Sequence, residues 1–145
     1  MENTNTPVQS SIYNMKLSEK CQLLVRKGEF GDKNYMTLLR LKDGDYTFIS
    51  FPLEVSAFIM EEIEHIKICI QSGLPRYFPM FGYSFMRHRK FNTEVIDFRG
   101  TFYLCLSQEH SKTYSKYINL TLQEVEALLE KKEDIVNNLQ TGDST

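Results

Sequence analysis

Aromatic and basic side chains are concentrated in two short stretches of the second half of the chain. Residues 83–91 (YSFMRHRKF) contain two Phe, two Arg and one Lys, and a Phe-Arg-Gly sequence follows at residues 98–100. Aromatic faces stack on nucleobases, and cations beside them hold the phosphate backbone without reading its sequence. The chemistry that these residues suggest is therefore non-covalent binding of a single-stranded nucleic acid.

The first of these stretches is predicted to be a strand over residues 80–90. Side chains alternate between the two faces of a strand, so Phe85, Arg87, Arg89 and Phe91 are expected on one face and Lys90 on the other. Aromatic and basic side chains on a common face suit base stacking combined with phosphate contact. The alternative is an edge strand whose charges prevent aggregation.

Catalytic chemistry has no comparable support in the sequence. His65, His88 and His110 do not have metal-ligand spacing with one another or with a cysteine, and neither a Gly-rich phosphate loop nor a nucleophile motif is present. The three cysteines are far apart and include no C-x-x-C pair, so buried reduced thiols are expected. We therefore predict a protein that is not an enzyme and that uses neither a metal nor a cofactor.

The composition is that of an ordinary globular protein. The 145 residues are 41% apolar, yet no stretch reaches the roughly 18 to 20 apolar residues of a membrane span. The N-terminal sequence (MENTNTPVQSS) has neither the basic start nor the apolar stretch of a secretory signal. These features predict no membrane association and a nuclear or cytoplasmic location.

The net charge of -2 conceals an uneven distribution of charge along the chain. Residues 52–71 carry a net charge of -3 and residues 121–145 one of -4, so the remainder is basic by +5. The two acidic segments coincide with the two predicted helices, whereas the predicted strands and loops are basic. Such a division allows one face to attract phosphates while the other repels them. The alternative is that the helices simply carry Glu on their solvated faces.

The first half of the chain is predicted to form strands followed by one helix. Residues 1–11 are polar without an apolar period and are expected to be a disordered arm. Strands are predicted over residues 21–27, 35–42 and 46–51, separated by turn signals. Pro52 then favours a helix start, and apolar residues at 3–4 spacing predict a helix over residues 53–70. Residues 73–79 (GLPRYFP) are interpreted as a hinge.

The second half repeats this order. After the strand at residues 80–90, further strands are predicted over residues 93–98, 101–107 and 113–120. Thr121 and Glu124 have the spacing of a capping box, which predicts a helix running to residue 139. The polar residues 140–145 are expected to fray as a tail.

The two halves can be aligned on each other. Phe30, Tyr35 and Leu38 fall on Phe98, Tyr103 and Leu106 at an offset of 68 residues. Ile49 and Leu53 fall on Ile118 and Leu122 at an offset of 69. The shared order of elements is stronger evidence for a repeat than these identities are.

Residues 86–136, about a third of the chain, resemble the DNA-binding domain of the single-stranded-DNA-binding transcriptional coactivators of the positive cofactor four family. The segments that carry this resemblance are residues 95–100 (VIDFRG), 101–106 (TFYLCL) and 116–129 (KYINLTLQEVEALL). The chain as a whole also resembles the purine-rich-element-binding (Pur) proteins and the plant Whirly proteins. These resemblances imply curved antiparallel sheets that pack on helices, with two units joined through those helices.

The resemblance also implies roles for three residues. Phe98 matches the turn aromatic that packs on bases, Arg99 matches the turn cation, and Lys116 matches the lysine before the last strand. The complete set of residues predicted to bind nucleic acid is Phe85, Arg87, Arg89, Lys90, Phe91, Phe98, Arg99, Tyr103, Lys112 and Lys116. A secondary set in the first half is Arg26, Lys27, Phe30, Lys33 and Tyr35.

The sequence thus predicts an α+β fold of two pseudo-repeats, each a curved antiparallel sheet followed by one helix. The units span residues 12–72 and 80–139 and are expected to form one compact domain. The predicted function is non-enzymatic binding of single-stranded nucleic acid, with DNA preferred over RNA, in transcription or replication, by a homodimer or an intramolecular pseudo-dimer. The alternative is a protein-interaction module of the same fold that docks a protein of the transcription or replication machinery.

Overall fold

Two four-stranded antiparallel sheets and four helices make up the part of the chain that the computed structural model describes, residues 11–29 and 33–141. The first sheet consists of β1 (Ser11–Ser18), β2 (Cys21–Arg26), β3 (Tyr35–Lys42) and β4 (Asp45–Phe51), and helix α1 (Leu53–Ser72) follows it. The second sheet consists of β5 (Arg76–Phe78), β6 (Phe91–Phe98), β7 (Thr101–Glu109) and β8 (Ser115–Leu120), with a short helix, α2 (Gly82–His88), between β5 and β6. The chain then forms α3 (Leu122–Glu130) and α4 (Lys132–Thr141). The predicted class, α+β with two repeats of sheet and helix, is confirmed.

The strand registers of the two sheets correspond to each other. Leu38 pairs with Ile49 in the first sheet, and Leu106 pairs with Ile118 in the second. These are the residues that the sequence alignment of the two halves matched. A backbone hydrogen bond next to the sheet is also present in both units. In the first unit, the N–H of Leu41 donates to the carbonyl of Lys20 at 2.8 Å. In the second unit, the N–H of Glu109 donates to the carbonyl of Lys90 at 2.8 Å.

Helix α1 is the longest element and lies at the centre of the core. It begins after Pro52 and ends at Gly73, whose left-handed backbone (φ 68°) lets the N–H groups of Gly73 and Leu74 bond the last carbonyls of the helix. Its apolar side chains recur at 3–4 spacing, and Ile59, Ile63 and Ile66 are fully buried. The helix packs against α3 and α4 and contacts strands of both sheets, β3 and β4 as well as β6 and β7. One core therefore serves both units.

Helix α3 begins with the predicted capping box. The backbone N–H of Glu124 donates to Thr121 Oγ1 at 3.2 Å, and the N–H of Thr121 donates to Glu124 Oε1 at 3.0 Å. The Glu124 carboxylate is nevertheless buried, because it turns towards the first unit and accepts from the hydroxyl of Ser18 and the guanidinium of Arg40. Glu124 thus links the start of α3 to strands β1 and β3.

Three predicted elements are corrected by the structure. The strand over residues 80–90 is wrong, since residues 82–88 form helix α2, in which His88 Nε2 contacts Glu54 Oε1 of α1 at 2.7 Å. The hinge over residues 73–79 contains strand β5, which pairs with β6 and buries Phe78. The single helix over residues 121–139 is interrupted at Lys131, and the break allows α4 to pack against β1 and β2.

The predicted termini lie mostly outside the described residues. Of the arm at residues 1–11, Ser11 opens β1 and residues 1–10 are not described. Of the tail at residues 140–145, helix α4 includes residues 140 and 141, and the remainder is not described. Within the described ranges, no helix combines the length and the apolar character needed to cross a membrane.

Replacing Glu124 by Ala should lower the free energy of unfolding by about 3 to 5 kcal/mol, because the guanidinium of Arg40 would lose its carboxylate partner in a buried setting. Glu126→Ala is the matched control on the same helix, since Glu126 is half-exposed and lies 4.0 Å from Lys67 Nζ. The control should cost less than about 1 kcal/mol. Urea unfolding of both variants measures the difference, and equal losses would contradict a structural role for the Glu124 contact.

Candidate nucleic-acid interface

A groove of about 930 Å³ lies between the tip of the β3–β4 hairpin and the outer face of the second sheet. We call it the hairpin groove. Four aromatic side chains line it, Phe98, Tyr103, Tyr114 and Tyr117. Four basic side chains line it as well, Lys20, Arg40, Lys42 and Lys116, with Asp43 as the acid among the lining residues. The groove thus combines aromatic surface with an excess of positive charge.

Strand alternation in the second sheet produces the floor of the hairpin groove. Leu104 and Leu106 of β7 point into the core and are fully buried, so Tyr103 and Cys105 point to the opposite face. Tyr103 pairs across the strands with Ile96, and Cys105 pairs with Asn119, all of which line the groove. The floor is therefore a row of half-buried side chains held by a continuous ladder.

The turn between β6 and β7 places Phe98 at the edge of this floor. Arg99 (φ 55°) and Gly100 (φ 88°) both have left-handed backbones, as a two-residue hairpin turn requires. The N–H of Gly100 donates to Asp97 Oδ1 at 2.8 Å, which fixes the turn. The Arg99 guanidinium lies 5.1 Å from the ring centroid of Phe98, and residue Phe98 is 55% exposed. The turn therefore presents an accessible aromatic side chain with a cation beside it, and the predicted binding roles of Phe98 and Arg99 stay predictions.

The opposite wall of the hairpin groove comes from the first unit and was not predicted from the sequence. The Lys20 carbonyl accepts from the N–H of Leu41, so Lys20 lies beside the hairpin that carries Arg40 and Lys42. Arg40 is ion-paired with the buried Glu124, which fixes its guanidinium at the wall. The two lysines are exposed at the rim. The sequence signal that could have identified this wall is the placement of cations at positions 40 and 42, which follow the buried residues 36–39 of β3.

Lys116 joins the two sheets where their last strands meet. Its Nζ donates to the carbonyl oxygen of Phe48 at 2.8 Å and lies 4.3 Å from the centroid of the Phe48 ring. Strands β4 and β8 are neighbours at this point. Lys116, which is the second residue of β8, therefore lines the groove and also ties the second sheet to strand β4 of the first.

Two of the cysteines have strongly raised pKa values. Burial, with a smaller contribution from Glu94, raises the pKa of Cys105 to about 11. Burial, with a smaller contribution from Glu124, raises the pKa of Cys21 to about 12. Both thiols are therefore protonated at neutral pH, which makes Cys105 an unreactive part of the groove floor.

The predicted binding residues near α2 lie outside the hairpin groove. The alternation that was to place Phe85, Arg87, Arg89 and Phe91 on one face does not exist, because residues 82–88 are helical. Phe91 is half-buried at the core, with its ring centroid 5.8 Å from that of Phe51. Phe85, Arg87, Arg89 and Lys90 are exposed on and beside α2, and none of them lines the groove.

The secondary set is at the other end of the first sheet. Arg26 and Tyr35 are paired across β2 and β3, with the guanidinium 5.9 Å from the ring centroid. Lys27 and Lys33 are exposed in the loop between these strands, and Phe30 lies outside the described residues. None of the described members of the secondary set lines the hairpin groove. Lys112, which belongs to the main predicted set, is exposed in the β7–β8 loop and does not line the groove either.

No cluster of three or more His, Cys, Asp or Glu side chains that could hold a metal ion occurs among the residues described. No protein-family model matches the chain, and no curated protein is similar to it in sequence.

Cys105 should react slowly with a thiol reagent in the folded protein, because its raised pKa leaves very little thiolate at pH 8. In a variant with Cys21→Ser and Cys69→Ser, the labelling rate should keep rising as the pH approaches 11. The same variant in urea provides the control, with labelling that levels off above the ordinary thiol pKa of about 8.5. A folded-state rate that already levels off near pH 9 would disprove the burial of this thiol.

Proposed function

We propose that this chain is a non-enzymatic protein that binds single-stranded nucleic acid in the hairpin groove. The observation that carries the proposal is the meeting of four aromatic and four basic side chains, contributed by both units, in one groove. Stacking on aromatic rings is worth roughly 1 to 3 kcal/mol per base and tolerates any base sequence. Lys20 and Lys42, which are exposed at the rim, supply the phosphate contacts that such binding needs, whereas Arg40 is paired with Glu124.

The shape of the hairpin groove favours a single strand over a duplex. Tyr103 lies on the floor of the groove, on the outer face of the second sheet and below the rim of the hairpin wall, so a base must leave its stack to reach the ring. Bases of a single strand can do so, whereas those of a duplex are paired and stacked. Sequence preference should be slight, because stacking and phosphate contact do not distinguish base edges.

Two further observations support the proposal. Phe98, Tyr103 and Lys116 were predicted from the sequence as binding residues, and all three line the same groove. The resemblance of residues 86–136 to the positive cofactor four family includes the β6–β7 turn and the start of β8, which contribute to that groove. A role in transcription or replication, with a nuclear or cytoplasmic location, is the context that this resemblance suggests.

The second candidate function is the docking of a protein from the transcription or replication machinery. A different surface favours it, since Phe81, Phe85 and Met86 are exposed apolar side chains at α2, away from the groove residues. Binding of a single-stranded oligonucleotide distinguishes the two functions, because protein docking at α2 does not require the groove residues Phe98 and Tyr103.

Phe98→Ala should weaken binding of a labelled single-stranded oligonucleotide by about 1 to 3 kcal/mol, since one base-stacking surface is lost. Phe81→Ala is the matched control, because Phe81 is 79% exposed but lies outside the groove. It should leave the affinity unchanged. Fluorescence anisotropy measures both, and an equal effect of the two substitutions would place the binding site elsewhere.

The salt dependence of binding should identify the basic wall. Replacing both Lys20 and Lys42 by Gln should make the slope of log affinity against log salt less negative by about 1.4, at about 0.7 per phosphate contact on a single strand. The control pair, Lys27→Gln with Lys33→Gln, removes the same charge at the far end of the first sheet and should leave the slope as it is. If the control pair changes the slope and the wall pair does not, the secondary set is the binding surface. A slope near zero in the unmodified protein would favour protein docking.

A further inference from the structure

Helix α2 and its flanking residues form an exposed surface that is both apolar and basic. Phe81 is 79% exposed, Met86 is 68% exposed and Phe85 is 43% exposed. Arg87, Arg89 and Lys90 are exposed beside them. We call these six residues the α2 surface. Large apolar side chains grouped on a surface in this way are typical of an interaction site.

The α2 surface is held in place by its neighbours. His88, at the end of α2, contacts Glu54 Oε1 of α1 at 2.7 Å, and its ring lies edge-on to Phe91 at 6.4 Å. The side chain of His88 is only 12% exposed. The contact fixes the C-terminal end of the helix, so Phe85 and Met86 are presented to solvent by an element that is held against α1.

A depression of opposite character lies where α3 meets α4. The break at Lys131 opens a shallow space of about 430 Å³, with the half-buried Leu129 and Val136 among its lining residues. Glu130 and Glu133 line it too and outnumber the one cation there, Lys132. We call this the α3–α4 depression. It offers an apolar contact inside an acidic rim.

The two surfaces complement each other in charge and in polarity, and they share no residue. We propose that the α2 surface of one copy of this chain docks into the α3–α4 depression of a second copy. The side chain of Phe85 or Met86 would enter the depression and contact Leu129 and Val136. The basic residues of the α2 surface would then lie opposite Glu130 and Glu133. Opposite charges around an apolar centre favour association and fix its orientation.

Such a contact is heterologous, because it joins different surfaces of the two copies. Each bound copy keeps one free α2 surface and one free depression, so association continues into a ring or an open chain. A symmetric dimer, in which both copies use the same surface, would stop at two. This difference in growth makes the contact distinguishable from ordinary dimerisation.

The test is sedimentation of the full chain, without nucleic acid, over a wide range of concentration. The average mass of the unmodified protein should rise with concentration at low salt and fall when salt is added, because the rim charges are screened. A variant with Phe85→Asp and Met86→Asp should remain a single chain, and so should a variant with Glu130→Lys and Glu133→Lys. An equimolar mixture of these two variants should form one-to-one pairs and nothing larger, since only one productive contact is left between them.

A third variant, Glu61→Lys with Glu64→Lys, provides the matched control. It changes the charge of exposed positions on α1 by the same amount and should associate as the unmodified protein does. Circular dichroism checks that every variant is folded. The proposal is overturned if the unmodified protein is a single chain at all concentrations, if either surface variant still associates, or if the mixture of the two does not form pairs.

Discussion

The packing of helix α1 against both sheets at once is the constraint on which the other features of this protein depend. Its buried side chains contact strands β3 and β4 of the first sheet and strands β6 and β7 of the second. They also contact the buried residues of α3. Neither sheet could cover this helix alone. The relative position of the sheets follows from the need to bury one long apolar stripe, and burial of that kind supplies most of the favourable free energy of folding.

The hairpin groove is a product of this arrangement and does not belong to either unit. Its floor is the outer face of the second sheet, and its basic wall is the tip of a hairpin from the first. Two polar contacts hold the parts in register, Lys116 with the carbonyl of Phe48 and Arg40 with Glu124. The second of these places a carboxylate in the core, where it is tolerated because a guanidinium, a hydroxyl and a backbone N–H all donate to it. The buried charge of Glu124 thus lies where Arg40, and with it the basic wall of the hairpin groove, is attached to α3.

The sequence was sufficient for features with a strong local signal. The helix after Pro52, the capping box at Thr121 and the correspondence of the two halves follow from apolar periodicity, turn chemistry and alignment of the sequence on itself. The strand predicted over residues 80–90 is wrong because a seven-residue helix has hardly two turns, too few for a clear helical period. The basic residues at positions 87 and 89 also have the spacing of side chains on one face of a strand. Strand β5 has only three residues between two prolines, too few for any period to be visible. The break at Lys131 leaves the apolar spacing almost unchanged, so only the packing of α4 on the first sheet reveals it.

The candidate site could be predicted only on the side that one unit supplies. Phe98 and Tyr103 belong to a turn and a strand whose faces can be assigned from alternation alone. Lys20 and Lys42 lie in the other half of the chain, and only tertiary packing brings them to the same groove as Phe98 and Tyr103. Arg40 was unexpected for the same reason, since its partner is 84 residues away.

Glu124 also shows what is gained by carrying both units on one polypeptide. By the alignment of the two halves, its position in α3 corresponds to that of Val55 in α1, and both residues are buried. A homodimer of a single unit would have to present the same residue at both places, so a carboxylate here would be introduced twice and would need two cationic partners. Fusion of the units removes that requirement. Each half is then able to change on its own, and a pseudo-symmetric framework can hold a single groove whose floor and wall are chemically different.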